Sequence, residues 1–239
     1  MLNVDILGIK FSSLDDDEFK KLVLSFIESN KCNTIFTPNA EMLVMANENP
    51  EFKKVLYESD LNIPDGIGIT LLAKRKGRVI KRFPGIEAME KILSLAEIYG
   101  FPIFFLGAKE EVIEKLVENV KLKYPKLLVA GFRNGYFSDE EEKKIIKMIN
   151  ESGAKILFVA LGAPKQELFI NKYKGVLKVK IAMGVGGSFD VLSGVKRRAP
   201  WMFRKLGLEW FYRILQEPKR IFVRFPRLVK FLSIYTRNV

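Results

Sequence analysis

The 239-residue sequence contains no histidine and one cysteine, Cys32. The first absence removes Ser-His-Asp and Cys-His hydrolases, histidine-liganded zinc and a histidine general base. Proton transfer near neutral pH therefore falls to Asp, Glu, Lys or Tyr. The second removes internal disulfides and multi-cysteine metal sites, as a reducing, cytoplasmic setting would favour. Cys32, in Asn30-Lys31-Cys32-Asn33, has no activating base near it in sequence and reads as a packing or surface thiol. Long apolar runs are missing too. Residues 156–163 form one of the longest, far short of the ~20 residues a membrane-crossing helix needs. No basic-then-apolar leader opens the chain.

What is present suits a folded core: 48% of residues are hydrophobic, enough for one large domain or one domain with an appendage. The formal charge of +12 is unevenly placed. Residues 196–239 hold twelve Lys or Arg against Glu209 and Glu217, net +10, which leaves net +2 for residues 1–195. A nearly neutral body with a cationic tail suggests a partner bearing negative charge: nucleic acid, anionic lipid or a phosphorylated ligand.

The chain alternates strand-like and helix-like segments. Residues 4–11 read as a first strand, 14–29 as an amphipathic helix, 34–36 and 61–63 as strands that each run into a helix. The same unit recurs at 102–124, 127–151 and 155–167, and a last strand spans 179–183. Recurrent βα units predict an α/β fold, a doubly wound, mostly parallel, Rossmann-like sheet with helices on both faces. Residues 1–195 would form this catalytic domain. Residues 201–215 and 227–235 have helical spacing, with Pro218 and Pro226 as breaks, and aromatic, aliphatic and basic side chains interleave there. Residues 196–239 thus predict a basic helical appendage that either lies in a membrane interface or packs on the body.

Asp65, in Pro64-Asp65-Gly66, would stand just beyond the carboxyl end of a parallel strand, where open α/β sheets place ligands. The alternative is a turn in which Asp65 caps the helix that begins near Ile69. Thr37 and Asn39 either cap a helix or face a ligand from its N-terminus. Arg82 is a phosphate clamp or an exposed loop arginine. After the last strand, Gly184, Gly186 and Gly187 would let backbone amides approach a phosphate or sugar, or make a tight turn, without the third glycine of the dinucleotide fingerprint. Asp190, behind them, suits a sugar hydroxyl. Asp15-Asp16-Asp17 offers an Asp-x-Asp pattern but fits the acidic first turn of a helix better, so no metal site is expected.

Taken together, Thr37-Pro38-Asn39, Pro64-Asp65-Gly66, Arg82-Phe83-Pro84-Gly85, Gly162-Ala163-Pro164-Lys165-Gln166-Glu167, Gly184-Val185-Gly186-Gly187-Ser188-Phe189-Asp190, Arg198-Ala199-Pro200 and Leu208-Glu209-Trp210-Phe211-Tyr212-Arg213, with Glu217-Pro218-Lys219-Arg220, resemble the WecG/TagA/CpsF glycosyltransferase family over nearly the whole chain. The resemblance implies an inverting transferase without a cofactor. It would move N-acetylmannosamine or a related sugar from a UDP-sugar donor to undecaprenyl-diphosphate-linked N-acetylglucosamine, in wall teichoic acid or surface polysaccharide assembly. By motif position, Asp65 would be the general base, with Thr37, Asn39, Arg82 and Gln166 around the substrates. Arg213, Arg220 and Arg224 would come from the appendage and close over the diphosphate at the membrane. The implied setting is the inner face of the cell membrane, peripherally bound to an anionic surface, with homo-oligomerisation left open.

The residues agree with that chemistry, because inversion with loss of UDP needs a base on the acceptor hydroxyl and positive charge on the departing diphosphate. Two rivals belong to other classes: a nucleic-acid-binding module using the basic aromatic tail, and a nucleotide-cofactor oxidoreductase on the same fold. The tail's aliphatic residues disfavour the first, and the missing fingerprint disfavours the second.

Overall fold

The computed structural model describes residues 1–216 and 221–237. Its first feature corrects the expectation of a single strand at 4–11. Strands β1 (Leu2–Ile6) and β2 (Ile9–Ser13) form an antiparallel hairpin separate from the main sheet. Leu7 and Gly8 turn the chain at φ of 59° and 81°, a two-residue turn of the kind that suits strand twist. The buried set is Val4, Ile6, Ile9 and Phe11. Alternation therefore slips by one residue at the turn, a slip that a reading of apolar periodicity passes over when no Asn-Gly or Asp-Gly pair announces it.

The main sheet contains β3 (Asn33–Phe36), β4 (Leu61–Asn62), β5 (Ile103–Gly107), β6 (Val129–Arg133), β7 (Ile156–Ala160) and β8 (Ile181–Gly184). Every pairing is parallel, in the order β4-β3-β8-β7-β5-β6. Because successive strand residues face opposite ways, Phe36, Phe104, Leu106, Leu157 and Val159 meet one layer of helices, while Ile35, Phe105, Phe158, Ile181 and Met183 meet the other. The first layer holds α2 (Ala40–Glu48), α3 (Pro50–Tyr57), α4 (Ile67–Arg75), α7 (Glu142–Glu151) and α8 (Lys165–Tyr173). The second holds α1 (Asp16–Glu28), α5 (Gly85–Tyr99), α6 (Glu110–Lys123) and α9 (Ser188–Leu192). This is the doubly wound, Rossmann-like α/β fold. Parallel strands put all their carboxyl ends on one edge, and the connections diverge between β5, which leads outward to β6, and β7, which leads back to β8. Crevices at such divergences are where α/β sheets take ligands.

The acidic run before α1 is a cap. The Asp15 carboxylate accepts from the Glu18 amide at 2.8 Å, Glu18 accepts in return from the Asp15 amide at 3.0 Å, and Asp16 pairs with Lys91. Among the described residues no group of three or more acidic or cysteine side chains is arranged to hold a metal ion. Cys32 is buried, and desolvation pushes its thiol up to about 12, which makes it a packing residue.

Beyond residue 195 the expected helix at 201–215 is two, α10 (Trp201–Lys205) and α11 (Glu209–Gln216), parted at Gly207 with φ of 72°. A glycine in this conformation ends a helix that apolar spacing alone would carry through. Pro226 lies inside α12 (Ile221–Arg237) rather than breaking it; the hydrogen bond it forfeits is outweighed by the packing of the helix on the body, where Phe231 is buried. Pro218 lies outside the described residues. No described helix is long and apolar enough to cross a membrane.

Candidate active site

Strand β4 is only two residues long, and the chain beyond it is laced to its neighbours by backbone bonds. Ile63 donates to the Phe36 carbonyl at 2.9 Å, Asp65 donates to the Pro38 carbonyl at 3.2 Å, and Phe83 donates to the Pro64 carbonyl at 3.0 Å. Asp65 is thereby held at the carboxyl edge between Thr37-Pro38-Asn39 on one side and Arg82-Phe83 on the other. Helix α4 begins at Ile67, its N-cap is Gly66 with φ of 87°, and no side chain caps it. The capping position thus belongs to Gly66, not Asp65, and the carboxylate stands half-exposed at the sheet edge.

Thr37 and Asn39 separate in role. Asn39 is the N-cap of α2, its side-chain oxygen accepting from the Met42 amide at 3.1 Å, so the helix-capping alternative holds for it. Thr37 faces the start of α5: a Cβ on Gly85 would come within 2.7 Å of its hydroxyl oxygen, so only glycine admits this approach. Gly66 closes the same corner, where an added Cβ would lie 3.9 Å from Asn39 Cβ. Thr37, Asn39, Asp65 and the first turns of α4 and α5 therefore form one cluster. Neither helix has a side-chain cap, which leaves leading amides to water or a ligand.

Arg82 is not an exposed loop arginine. It donates to the Arg204 carbonyl at 2.6 Å and pairs with Glu209 at 3.4 Å, joining the corner to α10 and α11. Arg198 braces the segment nearby, 2.5 Å from Glu87 and 3.7 Å from Glu90. Gly207 packs on Ile67, where a Cβ would come within 3.0 Å, and Phe231 of α12 is buried against Gly68 and Ala40, with ring carbon Cζ 2.9 Å from where a Gly68 Cβ would be. Arg227 pairs with Glu41 at 2.6 Å, and Arg75 stacks on the Tyr235 ring at 4.4 Å. Arg220 lies outside the described residues, as do the side chains of Arg213 and Arg224.

On the other flank, at the end of β8, Gln166 and Glu167 open helix α8 after a cis peptide at Ala163-Pro164. The Gly186 amide donates to Gln166 Oε1 at 3.0 Å, and Gln166 Nε2 donates to Glu167 Oε1 at 2.7 Å. A Cβ on Gly184 would come within 3.0 Å of Gln166 Nε2 and 3.1 Å of Glu167 Oε1. The expectation that these glycines lend amides to a phosphate is corrected for Gly186, whose N–H already serves Gln166; the close approach they permit is that of the Gln166-Glu167 pair. Gly187 is the N-cap of α9. Asp190 pairs with Lys196 at 2.6 Å. Between the ends of β5 and β7, at the divergence of connections, lies a cavity of about 430 Å³ lined by Ala108, Gly135, Tyr136, Leu161 and Lys165 among others.

Sequence reading gave no site role to Tyr136, Glu167, Glu209 or Phe231, although Glu167 and Glu209 stand within the motifs that carry the family resemblance. Glu167 carried a usable signal: a carboxylate in helical register with Phe169 and Ile170, all buried on α8. Tyr136 lies in a loop that no apolar pattern marks.

A sequence model described as the WecG/TagA/CpsF glycosyl transferase family matches residues 4–239. Among curated proteins, the N-acetylglucosaminyldiphosphoundecaprenol N-acetyl-beta-D-mannosaminyltransferase of Bacillus spizizenii (strain ATCC 23059 / NRRL B-14472 / W23) is 38% identical over 200 residues, covering 83% of this chain and 77% of that protein.

Proposed function

The chain belongs to the WecG/TagA/CpsF glycosyl transferase family, and on that premise we propose that it moves N-acetylmannosamine, or a closely related sugar, from UDP to undecaprenyl-diphosphate-linked N-acetylglucosamine. The observation that carries the mechanism is Asp65, fixed at the carboxyl edge beside Thr37 and the uncapped first turns of α4 and α5, in a chain without histidine. Asp65 takes the proton of the acceptor hydroxyl as that oxygen bonds to the anomeric carbon. The bond to UDP breaks on the opposite face, and the diphosphate leaves with the electron pair. Inversion follows from this single displacement.

The donor nucleotide is assigned to the cavity between β5 and β7, with Lys165 at its wall for phosphate charge and Tyr136 for the base. Gln166, next in sequence to Lys165 and bonded to the Gly186 amide at the end of β8, contacts the sugar. Arg82 orders the corner and, with Arg213, Arg220 and Arg224, supplies the cationic surroundings of the diphosphate. Residues 196–239 act as an appendage that brings the enzyme to an anionic membrane surface. Trp201, Met202, Leu206, Leu215, Phe225 and Leu232 are all more than half exposed there, among basic residues that each contribute on the order of 1 kcal/mol near such a surface. Aliphatic as well as aromatic exposure favours lipid over nucleic acid as the partner.

Asp65→Asn tests the base assignment. With UDP-N-acetylmannosamine and a soluble lipid-linked N-acetylglucosamine analogue, turnover should fall by about a thousandfold or more, at the upper side of what a positioned base supplies, while UDP affinity and melting temperature hold. Near wild-type turnover would remove Asp65 from the chemistry.

A further inference from the structure

We propose that Glu167 is a positioning residue for the transfer, acting through Gln166 by fixing which side of that amide is turned to the sugar. The inference rests on the reading of Gln166 as a substrate contact.

A glutamine amide has two similar ends, one donating and one accepting, and rotation by half a turn exchanges them. Only partners with a single hydrogen-bonding sense remove the ambiguity. Gln166 has one at each end. The Gly186 N–H can only donate, and it holds Oε1 at 3.0 Å. Glu167 Oε1 accepts from Nε2 at 2.7 Å, and it remains an acceptor whether or not Oε2 carries a proton. A glutamine at position 167 could offer either an oxygen or an NH₂ to the same atom, which leaves the Gly186 N–H alone to hold the orientation. The remaining lone pair of Gln166 Oε1 and the second hydrogen of Nε2 therefore keep fixed directions.

The placement of Glu167 is costly for the fold, which argues against a purely structural role. Its side chain is fully buried, and Oε2 has no hydrogen-bond partner. Burial pushes the carboxyl up to about 7, with hydrogen bonds from Gln166 and the residue's own backbone opposing that rise. An apolar side chain of the same length would avoid the desolvation. β8 makes room for the pair by ending in glycine, since a Cβ on Gly184 would crowd both side chains.

The test compares steady-state kinetics and thermal melting of Glu167→Gln, Glu167→Met, Gln166→Ala and the double variant Gln166→Ala/Glu167→Gln, on the UDP-sugar and soluble acceptor analogue. Glu167→Gln and Glu167→Met should each lose about tenfold in kcat/KM, the scale of one hydrogen bond misdirected, while melting as high as the wild type or higher. Glu167→Met serves if Glu167→Gln folds poorly. The double variant should be no worse than Gln166→Ala alone, because a residue acting only through Gln166 has nothing left to act on. Wild-type kcat/KM in the Glu167 variants beside an impaired Gln166→Ala, or additive losses in the double variant, would overturn the positioning role alone. Wild-type kinetics in Gln166→Ala would overturn it together with the reading beneath it.

Discussion

Residues 1–195 and residues 196–239 are built by different rules. In the first region the inner strands of the sheet are buried on both faces, so that Ile35, Phe105, Phe158 and Ile181 have essentially no exposure, and net charge is near neutral. In the second, net charge is +10, and the attachment among the described residues includes the Arg82 bridge to Arg204 and Glu209, the Arg198 bridge to Glu87, the seating of Gly207 on Ile67, the Arg75–Tyr235 stack, and the burial of Phe231 with its flanking Arg227–Glu41 and Lys230–Glu48 pairs. The difference teaches where each region's order comes from. Hydrophobic burial fixes the first, whereas the described contacts of the second reach α2, the Arg82 corner and the first turn of α4, directly after Asp65.

The strongest way to break the contrast is to delete residues 196–239. If the segment only anchored the enzyme, a water-soluble acceptor would be used as before. The expectation is instead a loss of about a hundredfold or more on that acceptor, consistent with removal of several charge contacts near a diphosphate, together with loss of binding to anionic vesicles. Full activity on the soluble acceptor would reduce the segment to an anchor.

Phe231→Ala sharpens the comparison by removing a large, buried apolar link. Truncating a buried phenylalanine typically costs about 3–5 kcal/mol in a core, and a helix with one exposed side should lose somewhat less. Activity is expected to fall about tenfold, and limited proteolysis should cut residues 221–237 much faster while the body stays intact. Unchanged proteolysis would show that the polar links suffice.

Glu209→Gln is the smallest change. The pair with Arg82 is half-shielded and should contribute about 1 kcal/mol, so a few-fold loss is expected, and the exchange Arg82→Glu with Glu209→Arg should not recover it if Arg82 also serves the diphosphate. Full recovery by the exchange would make Arg82 a latch and nothing more.

The same contrast explains what was legible in the sequence. The parallel sheet was, because short apolar strands each followed by a helix recur along the chain. The place of Asp65 at the carboxyl edge was legible too, because the apolar run 61–63 ends just before it, although the same pattern also allowed a helix cap, as Asn39 proves to be. The hairpin at residues 7–8 was missed since its turn lacks polar residues, and the break at Gly207 and continuity through Pro226 were missed since both depend on what the helices lie against. Glu209 and Phe231 owe their places to partners over a hundred residues away in sequence, and Glu167 to a glycine on another strand. The windows over which apolar periodicity is read are too short to contain the Glu209 and Phe231 pairs.

The position of β3 has a consequence for how the molecule comes into being. One of its neighbours, β4, follows it closely, but the other, β8, is the last strand of the sheet, with Asn33 opposite Ile181. On the ribosome, Thr37, Asn39 and Asp65 emerge early and wait beside an unpaired strand edge until β8 is made and inserted. Long-range insertions of this kind are slow steps in folding. A nascent chain stopped before β8 holds Asp65 but lacks the Gly184–Gly186 turn that receives Gln166, so the carboxyl edge is completed only once β8 is in place.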